Sequence, residues 1–138
     1  MKGFLVDTNV LSELRKGARA HAGVSAWFES APEDSLFLSV LVVGEIRRGI
    51  EALRGRDRAS ALNLDRWLAR LEQVYGSRIL PVNQAIAEEW GRIDAAFGLP
   101  AIDGLLGATA RVHELVLVTR NTKDVLRAGI DLLNPFRP

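Results

Sequence analysis

Four acidic residues, Asp7, Glu45, Asp103 and Asp124, each stand where an apolar run hands over to a helical pattern. Asp7 follows Gly3-Phe4-Leu5-Val6, and Glu45 comes about one helical turn after Phe37-Leu38-Ser39-Val40. Asp103 opens a helical stretch after Pro100, and Asp124 lies just past Leu115-Val116-Leu117-Val118-Thr119. In an open α/β sheet such handovers face one crevice at the carboxyl ends of the strands, where ligands bind. Carboxylates gathered there repel one another, by roughly 4 kcal/mol at about 4 Å and an effective dielectric near 20. A divalent cation joins them at the least cost. Such a cation beside a crevice implies hydrolysis of phosphodiesters by a metal-activated water.

Each acid also has a purely structural explanation. Asp is a preferred N-cap, although Thr8 and Asn9 are able to cap the same helix and leave Asp7 free to enter the crevice. Glu45 is explained as a helical glutamate paired with Arg47 or Arg48, yet it adjoins the apolar Val42, Val43 and Ile46. Asp103 in a first helical turn interacts well with the helix dipole. Its neighbours Ile102, Leu105 and Leu106 make that helix internal, where an unpaired aspartate is costly. Asn121 followed three residues later by Asp124 reads as a variant of the capping box. The weight lies in the combination, four acids at one end of a sheet.

The elements that must position these residues alternate between strand and helix. Apolar runs predict strands over 3–6, 36–40, 78–82 and 115–119, with an edge strand over 131–134. Helical spacing links Val10, Leu11 and Leu14, then Val24, Trp27 and Phe28 up to Pro32. It resumes with Val42, Val43, Ile46, Ile50 and Leu53 up to Gly55, and with Leu64, Trp67, Leu68, Leu71 and Val74 up to Gly76. Ile86, Trp90, Ile93 and Phe97 form a stripe ended by Gly98 and Pro100, and a small-residue helix follows from Ala101 to His113. This alternation predicts an α/β/α three-layer sandwich around a mainly parallel sheet.

The chain has 138 residues, which fits one domain over 1–138. Hydrophobic residues make up 48%, enough for a sizeable core. No apolar run is long enough to span a bilayer, and the first residues lack the pattern of a secretory signal. The expected location is cytoplasmic. With no cysteine, thiolate chemistry and Cys-ligated zinc are excluded. A net charge of +1 gives no general field for nucleic acid, so any such binding rests on local patches. Arg47, Arg48 and Arg120 are the candidates, while Arg54 to Arg58 read as a solvated face. His21 and His113 stand alone and suit surface or helix-end positions.

The string Phe4-Leu5-Val6-Asp7-Thr8-Asn9-Val10-Leu11-Ser12-Glu13 resembles the opening of a PIN-domain ribonuclease of the VapC toxin type. The likeness continues through Ser39-Val40 to Gly44-Glu45-Ile46, then Ile102-Asp103-Gly104-Leu105-Leu106-Gly107-Ala108-Thr109-Ala110. It ends in Leu117-Val118-Thr119-Arg120-Asn121-Thr122-Lys123-Asp124 and Leu133-Asn134-Pro135. The ordered set spans nearly the whole chain. Val125 stands where an aromatic residue is frequent in this family, and Phe136 where a tryptophan is. Some relatives carry an acid at the position of Asn121, which leaves Asp124 a direct or a water-mediated ligand.

The resemblance implies a metal-dependent endoribonuclease, the toxin of a toxin–antitoxin pair, with RNA as substrate and an antitoxin protein as partner. It also implies a homodimer. Asp7, Glu45, Asp103 and Asp124 would be the catalytic and metal-binding acids, with Thr8, Thr119 and Asn121 in support. An all-oxygen donor set suits Mg²⁺, with Mn²⁺ as substitute. Two other readings stand beside it, a non-catalytic interaction module on the same fold and a DNA-directed nuclease. A receiver-like phosphoacceptor would want adjacent acids after the first strand and a lysine after the last, where this chain has Asp7-Thr8-Asn9 and Thr119-Arg120.

Overall fold

Apolar runs without polar alternation suit strands covered on both faces. Five form among the described residues: β1 (Phe4–Val6), β2 (Leu36–Ser39), β3 (Ile79–Leu80), β4 (Val116–Val118) and β5 (Leu132–Leu133). The computed structural model describes residues 2–137. Among these residues seven α-helices connect the strands: α1 (Thr8–Leu14), α2 (Ala22–Ser30), α3 (Val40–Arg54), α4 (Arg58–Tyr75), α5 (Gln84–Phe97), α6 (Ala101–Val112) and α7 (Lys123–Arg127).

All the strand pairings are parallel, in the order β3-β2-β1-β4-β5. Phe4 pairs with Leu36 on one side and Val116 on the other, so β1 is central. The chain runs outward from β1 through β2 to β3, then returns to the opposite side of β1 as β4 and β5. Right-handed crossovers in opposite directions place their helices on opposite faces of the sheet. The packing agrees: α3 packs on α4 and α1 on α2, while α5 and α7 pack on α6. The reversal puts a switch point between β1 and β4, where the connections leave in opposite directions and a crevice opens at the strand ends.

Burial follows the periodicities. Val42, Ile46 and Ile50 form the inner stripe of α3, and Ala61, Leu68 and Tyr75 that of α4. Along α6 the buried residues include Gly104, Leu106, Gly107, Ala108 and Ala110. A methyl group on Gly104 would press on the Trp90 ring, and one on Gly107 would collide with Ile130. Small residues therefore let α6 approach both α5 and the segment before β5.

Several boundaries differ from the expectation. The strand over 36–40 ends at Ser39, because the Ser39 hydroxyl accepts the Leu41 N–H at 3.0 Å and α3 starts at Val40. Helix α4 begins at Arg58 rather than near Leu64, because Asp57 caps it through the Ser60 N–H and hydroxyl. The strand over 78–82 shrinks to the two residues of β3. The helix start read from the Asn121–Asp124 spacing is present but shifted: α7 is capped at Thr122, and its five residues bury only Val125.

Leu5 in β1 is fully buried, whereas Leu126 on α7 is 65% exposed. Leu5→Ala is expected to lower stability in urea by about 2–5 kcal/mol. Leu126→Ala should stay within about 0.5 kcal/mol of the parent. Equal unfolding midpoints for the two variants would contradict the central position of β1.

Candidate active site

Asp7 is the first residue after β1, and its N–H donates to the Val118 carbonyl of β4 at 2.9 Å. Backbone pairing thus locks it at the switch point. Its side chain caps α1, Oδ1 accepting the Thr8 N–H at 2.7 Å. The expectation that Thr8 or Asn9 would relieve Asp7 of capping is corrected here. One oxygen caps the helix and the other reaches into the site, where Oδ2 accepts the Thr119 hydroxyl at 2.8 Å. Asp7 is 6% exposed and Thr119 1%.

Thr119 directly follows β4, and its Oγ1 in turn accepts the Asn121 N–H at 3.1 Å. Asn9 spans the same gap, its Nδ2 lying 3.4 Å from both Asp7 Oδ2 and Thr119 Oγ1. Its Oδ1 accepts the Arg120 N–H at 3.2 Å. Sequence reasoning weighed Asn9 only as a cap, although it sat in the Asp-Thr-Asn string. The network ties the ends of β1 and β4 together.

Glu45 projects from the second turn of α3 and accepts the Thr8 hydroxyl at 2.7 Å, so Thr8 links α1 to α3. Asp103 lies in the first turn of α6 and Asp124 in the first turn of α7. Both line a cleft of about 580 Å³ together with Arg120, Asn121, Thr122, Lys123 and other residues. Asn121 does not cap α7, since Thr122 occupies that position without a side-chain cap bond. Its N–H is spent on Thr119 instead.

The acids act on one another. Burial pushes the Asp7 carboxyl above its ordinary range; the bonds from Thr119 and Thr8 oppose this, and the charges of Glu45 and Asp103 add to it. Asp103 is also raised, by burial first and then by Glu45 and Asp124. Among the described residues, no Lys, Arg or His pairs with any of the four acids. The four form a chain of coupled anions without an internal counter-charge.

Among the described residues, no three acidic or histidine side chains converge tightly enough to enclose an ion by themselves. The site is open. Open oxygen donors fit Mg²⁺, which keeps several waters and uses one or two carboxylates plus substrate phosphates. The missing counter-charge and the all-oxygen chemistry both suit a hard divalent cation.

The candidate arginines fall in different places. Arg47 reaches Asp65 of α4 at 3.1 Å and Glu51 at 3.5 Å, which holds α3 against α4. Arg48 is exposed one turn beyond Glu45. Arg120 lines the cleft, its guanidinium over the Phe136 ring at 4.5 Å from the centroid. Exposed contacts of this kind contribute about 0.5–1 kcal/mol. His21 is a helix-end residue as expected, capping α2 by accepting the Gly23 N–H at 3.0 Å, and it also lines the cleft. Lys123, Phe136 and Arg137 line it too, a role that no spacing in the chain marks.

Residues 4–129 match the family model of the PIN domain. The toxin FitB of Neisseria gonorrhoeae is 30% identical, the alignment covering 96% of this chain and 98% of the relative. The crystal structure of FitAcB from the same organism superposes with a TM-score of 0.85 at 29% identity, over 98% of this chain and 99% of the other. The VapC ribonuclease Y4jK of Sinorhizobium fredii is 30% identical over 98% of this chain and 99% of its own length. A toxin–antitoxin complex from Klebsiella pneumoniae contains a chain of TM-score 0.65 and 28% identity, covering 96% of this chain and 98% of that one.

Raised carboxyl pKa values carry a stability cost that is absent below the unfolded pKa and complete above the folded one. In EDTA near neutral pH, Asp103→Asn should therefore melt higher than the parent, by a few degrees in order of magnitude. The gap should close as pH falls through the folded pKa of Asp103 towards its ordinary range. A gap that is constant with pH, measured by circular dichroism, would remove the repulsion among the acids.

Proposed function

The chain belongs to the PIN-domain family, and on that premise we propose that it is a metal-dependent endoribonuclease acting as the toxin of a toxin–antitoxin pair. The observation that carries this reading is the row of four coupled carboxylates at the strand ends with no basic partner among the described residues. The similarity to a VapC ribonuclease and to FitB supports RNA as substrate and toxicity as role.

Asp7 and Asp103 would hold Mg²⁺ or Mn²⁺, with Glu45 and Asp124 completing the site directly or through water. When bound, the ion supplies Lewis acidity at the phosphate and lowers the pKa of the attacking water. Thr119 and Asn9 fix one oxygen of Asp7, while the Thr8 N–H fixes the other. The Thr8 hydroxyl orients Glu45. Preset carboxylates need little rearrangement when charge develops on the phosphate. Water as nucleophile leaves 5′-phosphate and 3′-hydroxyl ends.

A surface away from this chemistry is open to an antitoxin. A groove of about 650 Å³ runs between α1, α2 and α4, lined by Leu11, Leu14, Phe28, Trp67, Leu71 and Val74 among others. Its apolar walls fit an amphipathic segment laid along them. Similarity to a chain in a toxin–antitoxin complex supports a partner of this kind. A homodimer remains part of the reading.

Purified protein should cut a mixed panel of structured RNAs with Mn²⁺ or Mg²⁺ and not with EDTA. Folded Asp7→Asn should lose at least about a hundredfold in rate, as expected when a ligand that orients the ion is lost. Cutting of DNA alone would replace the substrate, and tight metal binding without any cutting would favour an interaction module. Leu71→Glu should abolish co-purification with a co-expressed antitoxin and leave RNA cleavage intact. Retained antitoxin binding in that variant would move the docking surface elsewhere.

A further inference from the structure

The cleft beside the acids holds two kinds of charge that do not meet. Asp103 and Asp124 line it, and so do Arg120, Lys123 and Arg137. Among the described residues, no ion pair within 4.0 Å joins any of these cations to either carboxylate. Long flexible cations in such a cleft are attracted by its acids, and a contact that holds one of them elsewhere keeps it available to a ligand.

For Arg120 the restraint is visible. Its N–H is fixed by Asn9 Oδ1, so the residue springs from the network around Asp7. Its guanidinium then lies over the Phe136 ring. Phe136 is itself secured: its N–H donates to Asn134 Oδ1 at 3.0 Å, and its ring meets the His21 ring at 5.3 Å. Pro135 before it is buried, and a methyl group on Gly23 would run into the Pro135 carbonyl. The close fit of α2 against this segment therefore sets where the ring stands.

We propose that Phe136 is a positioning residue whose ring holds the Arg120 guanidinium at the mouth of the cleft, as anchor for a backbone phosphate beside the scissile one, and keeps it off Asp103 and Asp124. This rests on the nuclease reading above. The ligand of the subsite is the sugar–phosphate strand of a single-stranded nucleic acid. Arginine's planar fork suits phosphate oxygens, and Lys123 and Arg137 extend the same wall along the strand. An aromatic ring restrains the cation without neutralising it, which a carboxylate partner would do. Freed from the ring, Arg120 would compete with the metal for the acids.

The test compares the parent with Phe136→Leu, Phe136→Trp, Arg120→Ala and the Phe136→Leu/Arg120→Ala double variant. One probe is Mn²⁺ binding by calorimetry without RNA. The other is binding of a fluorescein-labelled single-stranded oligoribonucleotide in EDTA across a range of salt. Phe136→Leu should weaken Mn²⁺ binding about fivefold, the scale of one exposed cation–aromatic contact, and removing Arg120 as well should restore it. Arg120→Ala and Phe136→Leu should each flatten the log–log salt dependence of RNA binding by about 0.7, the contribution of one phosphate contact on a single strand. The double variant should flatten it no further, and Phe136→Trp should behave as the parent does.

Unchanged Mn²⁺ affinity in Phe136→Leu overturns the proposal. So does a loss that persists when Arg120 is also removed, because a merely structural ring would give that result. Cleavage is scored separately. A parent protein that shows this binding pattern without cutting RNA overturns the nuclease reading and sustains the Arg120–Phe136 arrangement.

Discussion

The buried carboxylate of Asp7 is the constraint on which the rest of the site depends. A carboxylate at 6% exposure is costly unless its oxygens are bonded. Here one oxygen closes the first turn of α1, and the other receives the Thr119 hydroxyl. The Thr119 bond joins the ends of β1 and β4, and Thr8 carries the connection on to Glu45. The bonds do not cancel the burial, and the neighbouring acids add to it, so the carboxyl stays above its ordinary range. On the proposed reading, a bound cation would relieve that repulsion.

Topology supplies the opening. With β1 central and the chain returning to β4 on its other side, the connections diverge between these two strands. Asp7 and Thr119 flank that point because each directly follows its strand. Asp103 joins them only because α6 packs closely, which depends on Gly104 against Trp90 and Gly107 against Ile130. The close packing of α6 thus sets where Asp103 meets the cleft.

Charge is sorted in space. On α3 and α4, Arg47 and Arg54 are spent on Glu51 and Asp65, which staples two helices and leaves little field. Exposed pairs of this kind contribute little to stability. Among the described residues the cations of the cleft pair with no carboxylate, and one of them rests on an aromatic ring. A chain of net charge +1 can in this way offer a local basic wall beside an acidic site. The apolar groove along Trp67 and Leu71 occupies another surface and leaves the cleft unobstructed.

The sequence by itself determined the alternation of strands and helices, the parallel sheet, and the four acids with their handover positions. Those are local properties: uninterrupted apolar runs, helical spacing and residue type act over a few neighbours. Thr8, Thr119 and Asn121 came from the resemblance to the PIN family, since no periodicity marks them. The cap of the short helix at Thr122 rather than Asn121, the engagement of Arg47 with Asp65, and the start of α4 at an Asp57 cap were not legible in that way. Only the tertiary structure decided that Asn9 bridges Asp7 and Thr119, and that Phe136, far along the chain, meets Arg120 and His21. These are contacts between segments whose order in the sheet no local pattern encodes. Strand order is set by how the helices cover both faces and by crossover handedness, and that order brought the ends of β1 and β4 together.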